Sequence, residues 1–279
     1  MGRRTFFGDS VVESVFPDGQ PHVEVLRYDG NLRCRVASAD DLLKVCLVLS
    51  LYRKEGKHTQ LEIMYLLGER MDKPNAQDMP VTAAVVCDIL RGYSDAATFY
   101  LLSPHSGVVE KRLAAATLCF QEAVFHDNAI KMYLKQQGRT DQELDYRSTS
   151  DVSIVFPDKG ASSRLKGSPL LDWWAGCSHV ICEKQRDLQT GRITGFSIIE
   201  GTPQQHCIIL DDLCDGGATF VGAARCLRDA GAQTVGLSVV KGVFSKGTTL
   251  DGIDFIATTN AYQDFDGLTT PSFYVHRYL

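Results

Sequence analysis

The sequence predicts an α/β chain of two domains, each built on a mainly parallel sheet flanked by helices. Three observations lead there. Short apolar runs of strand character alternate with longer stretches of helical periodicity, the rhythm of parallel sheets with helical crossovers. Residues 207–210 (Cys, Ile, Ile, Leu) are apolar without alternation, as in a strand covered on both faces, and a Gly-rich turn and a helical pattern follow them. The 279 residues suit one large or two small domains, and a polar stretch over 136–150 separates two similar sets of elements. The domains are therefore expected at 1–145 and 146–279.

In the first half, residues 32–36 read as a strand before a helix over 39–52, for which Ser38 is a fitting N-cap. Residues 60–67 form the next strand pattern. Residues 80–90 read as a helix with Pro80 at its first turn, where a missing N–H costs nothing. A strand over 97–102 and a long helix over 114–135 complete this half. In the second half, strands are expected at 153–156, 179–183, 207–210, 234–239 and 255–258, with a helix over 221–228. No internal sequence repeat is visible. Ligands of such sheets bind at the carboxyl ends of strands, and the motifs below fall at such ends.

Composition narrows the function classes. With 44% hydrophobic and 23% charged residues the chain has the balance of a globular enzyme. A net charge of −5 does not mark a nucleic-acid binder. No run approaches the ~20 apolar residues of a membrane span, and no apolar signal core follows Arg3 and Arg4. Met1-Gly2 begins like a myristoylation site, but position 6 is Phe. Nine cysteines, an odd number without C-x-x-C spacing, read as reduced thiols of a cytoplasmic protein. Cys177, His179 and Cys182 match no usual zinc spacing.

The chemistry concentrates after residue 210. Asp211 and Asp212 end the apolar run, Asp215 follows, and Gly216, Gly217, Ala218 and Thr219 lead into the helix. An anion at that turn meets open backbone N–H groups and the positive end of the helix dipole, while the two carboxylates can accept from vicinal hydroxyls. A ribose phosphate satisfies both halves. An ordinary strand-to-helix turn with an acidic N-cap is the plainer alternative.

This order of residues resembles the ribose-phosphate loop of type I phosphoribosyltransferases and of ribose-phosphate diphosphokinases (PRPP synthetases). Further segments resemble the diphosphokinases in order along nearly the whole chain. Residues 15–20 (Val-Phe-Pro-Asp-Gly-Gln) are similar to the F-x-D-G-E segment, which implies that Phe16, Asp18 and Gln20 reach an ATP adenine, often a neighbouring subunit's; a plain Pro-Asp-Gly turn is the alternative. Arg70 and Asp72 match the segment that holds ATP phosphates, with Met71 in place of a family Gln. His105 stands near the family's nucleotide and metal histidine, or is a structural His. Asp158, in Phe-Pro-Asp-Lys-Gly, resembles the acid that holds Mg²⁺. Lys184 and Arg186 match the K-x-R at the base of a mobile flap, with residues 190–195 as its hairpin, and residues 240–245 resemble T-H-G-x-F-S with Lys241 for His.

The resemblance implies two stacked phosphoribosyltransferase-like domains and transfer of the β,γ-diphosphate of ATP to the 1-hydroxyl of ribose 5-phosphate, giving PRPP and AMP. Mg²⁺ is the implied cofactor, and Lys184 and Arg186 the catalytic cations. Asp211, Asp212, Asp215, Gly216, Gly217, Ala218 and Thr219 would bind the ribose phosphate, and a homodimer or higher homo-oligomer is implied. Shortened, phage-type homologues of NAD-salvage settings carry similar P-D-K-G and F-S-K-G segments, so ADP-ribose is the alternative acceptor, with Trp173 or Trp174 as a base platform or as core. A phosphoribosyltransferase and a non-catalytic regulatory subunit are the remaining alternatives.

Overall fold

The structure is a computed structural model that describes residues 3–72, 80–140, 144, 150–186, 193–268 and 270–278, the side chains of Arg186, Ile193 and Thr194 excepted. Its contacts divide the chain into two compact units, Met1–Cys119 with Tyr278–Leu279, and Phe120–Arg277. Among the described residues no helix is long and apolar enough to cross a membrane.

The first unit carries a parallel four-stranded sheet in the order β3 (Asn31–Val36), β4 (Thr59–Leu66), β5 (Ala97–Leu101), β6 (Ala116–Thr117). Helix α1 (Ala39–Lys54) starts as its sequence requires: the Ser38 hydroxyl accepts from the Asp41 N–H at 3.2 Å. Asp40 and Asp41 sit in its first turn, Arg53 and Lys54 in its last, each sign where the helix dipole favours it. Helices α2 (Thr82–Arg91) and α3 (Gly107–Leu113) follow β4 and β5. An antiparallel hairpin, β1 (Val11–Val15) with β2 (Pro21–Val25), stands on its own as a two-stranded sheet.

The second unit opens with α4 (Cys119–Gln136) and holds seven strands in the order β13 (Phe273–His276), β12 (Phe255–Thr259), β11 (Thr234–Gly242), β10 (His206–Cys214), β7 (Val152–Phe156), β8 (Ser178–Arg186), β9 (Ile193–Glu200). All neighbours are parallel except β8 and β9, which form an antiparallel hairpin. Every residue of β7 is buried, as a central strand covered on both faces must be. Helices α5 (Lys159–Leu165), α6 (Pro169–Trp173) and α7 (Ala218–Asp229) complete it. The chain moves outward from β7 through β8 and β9, then returns to lay β10 on the other side of β7. The crevice at the carboxyl ends of β7 and β10 is thus a topological switch point, where open α/β sheets hold ligands.

The structure departs from the sequence reading in three places. The expected helix over 114–135 begins only at Cys119, because Ala114 takes a left-handed conformation (φ +54°) to end α3, and Leu118 then bonds back to Leu101. The division falls at Cys119/Phe120, not at 145/146: within the second unit, α4 is tied to β11 by His126 to Ser238 (2.8 Å) and Tyr133 to Thr234 (2.6 Å). Pro80 stays outside α2, which starts at Thr82 without a side-chain cap.

Candidate active site

Strand β10 does not stop before its carboxylates. Asp211 pairs with Val239 and Leu213 with Lys241, so both acids belong to the last part of the strand. Their side chains are largely buried, Asp212 at 3% and Asp211 at 13% exposure. Two adjacent carboxylates at that depth need a cation, and Arg164, in the last turn of α5, provides it. Its Nη2 bridges Oδ1 of Asp211 and Oδ1 of Asp212, the latter at 2.8 Å, and Asp211 also accepts from the Asp212 N–H at 2.9 Å. Burial, with Asp212 adding to it, pushes the Asp211 carboxyl well above its usual range, while Arg164 pulls the other way. Sequence reasoning missed Arg164. The signal was a lone Arg closing a small-residue helix, Ala161-Ser162-Ser163-Arg164, directly after the acidic segment at Asp158.

Beyond β10 the chain turns through Asp215, Gly216 and Gly217 into α7. Gly217 is the N-cap in the left-handed region (φ +78°) with no side-chain cap, so the first N–H groups of α7 lack a capping side chain. The segment after β11 braces this turn. The Val243 and Phe244 N–H groups donate to the Cys214 carbonyl at 2.8 and 3.2 Å, and the Ser245 hydroxyl donates to Asp215 at 2.6 Å. Leu250 packs under Gly217, and the Lys246 stem crosses Gly216: a Cβ there would lie 3.4 to 3.7 Å from Cδ, Cε and Cγ. Among the described residues the exposed Lys246 ammonium makes no ion pair or hydrogen bond. Ala218 is exposed and Thr219 half-buried in the first turn of α7.

Asp158 ends β7 and caps α5, one oxygen accepting from the Ala161 N–H at 2.9 Å while the other faces the Lys184 Nζ at 3.7 Å. Lys184 lies on β8, opposite Phe196 of β9, and Phe196 in turn packs so closely on α7 that only glycine fits at position 222. The flap hairpin is present as β8 and β9. Its tip, 187–192, and the Arg186 side chain lie outside the described residues, so the paired role expected of Lys184 and Arg186 has only its first member in view. The second unit thus gathers Asp158, Lys184, Arg164, Asp211, Asp212 and the 215–219 turn onto the ends of adjacent strands.

The remaining candidates belong to the first unit. Phe16, Asp18 and Gln20 form the exposed tip of the β1–β2 hairpin, where Asp18 accepts from the Gln20 N–H at 3.1 Å and Phe16 lies 5.0 Å from the His22 ring. The Pro-Asp-Gly turn is therefore real, and it displays an aromatic ring to solvent. Arg70 is exposed in the turn after β4. Asp72 accepts from the Ser106 hydroxyl, which brings the Arg70–Asp72 turn against the segment holding half-buried His105. Ser103, just before it, has φ +43°, a strained conformation for a non-glycine residue.

The aromatic pair divides. Trp174 is fully buried and donates to Asp127 at 3.0 Å, so it is core. Trp173 is half-buried, edge-on to Phe120 at 6.0 Å between centroids. Among the described residues no three metal-ligating side chains converge. Mg²⁺ takes one or two carboxylates and completes its shell with water and phosphate oxygens, and Asp158 presents a carboxylate of that kind.

No protein-family profile matches the chain. The chain is 27% identical over 250 residues to "Ribose-phosphate pyrophosphokinase 2" of Archaeoglobus fulgidus, covering 87% of this chain and 81% of that protein. It is 25% identical over 256 residues to the ribose-phosphate pyrophosphokinase of Pyrococcus furiosus, covering 88% and 83%. With the Ureaplasma parvum protein of that name the identity is 23% over 208 residues, 74% of this chain but 58% of that one. Among solved structures, the phosphoribosylpyrophosphate synthetase of Mycobacterium smegmatis shares the fold, with a TM-score of 0.70 over 96% of this chain and 85% of that one at 18% identity.

Proposed function

We propose, from the premise that the chain belongs to the ribose-phosphate pyrophosphokinase (PRPP synthetase) family, that it transfers the β,γ-diphosphate of ATP to the 1-hydroxyl of ribose 5-phosphate. The anomeric oxygen attacks the β-phosphorus, the bond from that phosphorus to the oxygen bridging the α-phosphate breaks, AMP departs with that oxygen, and the hydroxyl proton leaves to solvent. The observation that carries the reading is the carboxylate pair bridged by Nη2 of Arg164, shortly before the Gly-capped N-terminus of α7, with Asp158 and Lys184 at the neighbouring strand ends.

In this reading Asp211 and Asp212 accept from the 2- and 3-hydroxyls and so aim the 1-hydroxyl. The 216–219 turn takes the 5-phosphate on its N–H groups. Lys184 moves from Asp158 to the oxygens of the transferred diphosphate, where charge builds in the transition state, and Arg186 joins it. Asp158 would hold Mg²⁺, which would neutralise and orient the ATP phosphates. Phe16, Asp18, Gln20, Arg70, Asp72 and His105 are assigned to the nucleotide, the exposed hairpin tip meeting a neighbour's adenine in a homodimer or higher homo-oligomer. Acceleration then rests on positioning, for which well-oriented reactants gain about 7–11 kcal/mol.

ADP-ribose is the second reading, favoured by one observation. The partnerless ammonium of Lys246 beside Gly216 can meet a second phosphate extending from the 5-position. A phosphoribosyltransferase would have no use for Lys184 at Asp158, and a regulatory subunit would have no need to keep the charged cluster. The test is AMP release from ATP and Mg²⁺ with ribose 5-phosphate or ADP-ribose as acceptor, the product identified by phosphorus NMR. Turnover with ribose 5-phosphate is expected; a tenfold or greater kcat/KM for ADP-ribose would reverse the acceptor, and no AMP with either would end the diphosphokinase reading.

A further inference from the structure

Helix α5 reaches two parts of the proposed site. Its N-cap is Asp158, at the diphosphate end of the proposed site, and its last turn holds Arg164, whose guanidinium bridges both acceptor carboxylates. Seven residues of helix therefore join the two halves of the site through one rigid element. Arg164 is mostly buried, at 24% side-chain exposure, and its Nη2, held in the plane of the guanidinium, reaches both carboxylates at once.

We infer that Arg164 is a positioning residue for the acceptor, holding Asp211 and Asp212 in the one orientation that leaves their outer oxygens to the sugar hydroxyls. The inference rests on the proposed diphosphokinase reading and adds to it the residue on which the carboxylate pair depends. Without the guanidinium, two carboxylates of one strand end would face each other at low exposure, and one would take up a proton and turn from acceptor to donor. Other titratable groups lie around the pair. On β10 itself the neighbour is Asp212. On β11 the register partner of Asp211 is Val239, and Lys241 stands opposite Leu213. From α4 comes His126, whose imidazole is fully buried and kept neutral, its pKa lowered to about 3 by burial first and by Arg164 second. At the end of β7, Asp158 is already shared between the α5 cap and Lys184.

The experiment compares wild type with Arg164→Gln, Arg164→Lys, Asp211→Asn and the double variant Arg164→Gln/Asp211→Asn, folding being checked by circular dichroism. Steady-state AMP release is measured against ribose 5-phosphate and against ATP from pH 5.5 to 9. Arg164→Gln is expected to raise the acceptor KM about tenfold or more while the ATP KM stays within about twofold. The acid limb of kcat/KM for the acceptor should move up by about one pH unit, because a carboxylate that lost its cation protonates earlier. Arg164→Lys keeps the charge but loses the planar guanidinium that sets the place of Nη2, so it should leave the limb in place while raising the acceptor KM. The double variant should be no worse than Asp211→Asn alone by more than about twofold, since both changes act through the same pair. An unmoved acid limb in Arg164→Gln, equal rises in both KM values, or additive losses in the double variant would overturn the assignment while leaving the reaction intact. If Arg164→Gln does not fold, an unchanged acceptor KM in Arg164→Lys overturns it. A wild-type protein that releases no AMP overturns the reaction and the inference together.

Discussion

Replacing Gly217 by Ala tests whether the acceptor turn is held by packing as well as by backbone conformation. The new Cβ would stand 2.3 Å from Leu250 Cδ2, against the ~3.5–4.0 Å of an ordinary carbon contact, so one of the two must move by about 1.2 Å or more. Leu250 is buried in the core of the second unit and cannot yield freely. Overpacking of this kind costs about 1–3 kcal/mol, and a left-handed residue with a Cβ about 1–2 kcal/mol more. The sum, ~2–5 kcal/mol, is a large part of the ~5–15 kcal/mol that hold a domain folded. Gly231→Ala is the matched control: it ends the same helix in the left-handed region (φ +103°) with nothing within 4 Å of its Cβ. Urea unfolding followed by tryptophan fluorescence should show Gly217→Ala losing about 1–3 kcal/mol more than Gly231→Ala. The acceptor KM should rise only in the former. Equal losses in the two variants, or a normal KM in Gly217→Ala, would refute the argument.

Lys184→Ala and Arg186→Ala should each lower kcat by about 10²-fold or more with little change in thermal unfolding, and near-normal AMP release by both would sink the role given to the flap. Trp174→Ala should destabilise the protein by ~3–5 kcal/mol in urea without changing the ratio of the two acceptors, whereas half-buried Trp173→Ala should cost well under that. Lys246→Ala should weaken ADP-ribose more than ribose 5-phosphate in paired KM measurements; equal effects would remove the one observation in favour of the larger acceptor. Neutral, buried His126 gives the stability a pH dependence. Its folded pKa of about 3 lies below the unfolded value near 6.5, so the unfolded chain binds the extra proton, and stability is full above ~6.5 and falls as pH drops toward ~3. Urea unfolding of His126→Asn across that range should show a shallower slope than wild type.

The strand–helix rhythm was legible because buried parallel strands are mostly apolar: 207–210 is an unbroken apolar run, while 153–156 and 234–239 keep that character with Ser153, Thr234, Gly236 and Ser238 among them. The acids at 211 and 212 were legible as a site but misjudged as a strand end, since pairing with β11 continues through them and only hydrogen bonding reveals that. Ala114 broke the helical pattern invisibly: alanine is the best of helix formers, and its left-handed conformation is imposed by the end of α3. Arg164 carried no periodic signal. An arginine becomes a site residue only when the fold lays its helix across a carboxylate pair forty-seven residues further along the chain. Trp174 shows the converse, a conspicuous residue absorbed by the core with its indole N–H bonded to Asp127.

The small residues of the acceptor turn bear on what it binds. Read from sequence, Gly216, Gly217 and Ala218 leave a wall low enough for an acceptor extended beyond its 5-phosphate. In the fold that space is already taken: Leu250 fills the place of a side chain at 217, and the Lys246 stem covers 216. Only Ala218, exposed on the first turn of α7, faces outward without cover. The glycines are therefore required by the chain's own packing, which would demand them whatever the acceptor. With Trp174 in the core as well, the case for the larger acceptor narrows to the charge of Lys246, half-buried Trp173 and the likeness of the P-D-K-G and F-S-K-G segments. A plain phosphate ester needs no more than the turn and the helix end supply, and ribose 5-phosphate remains the acceptor that the geometry supports best.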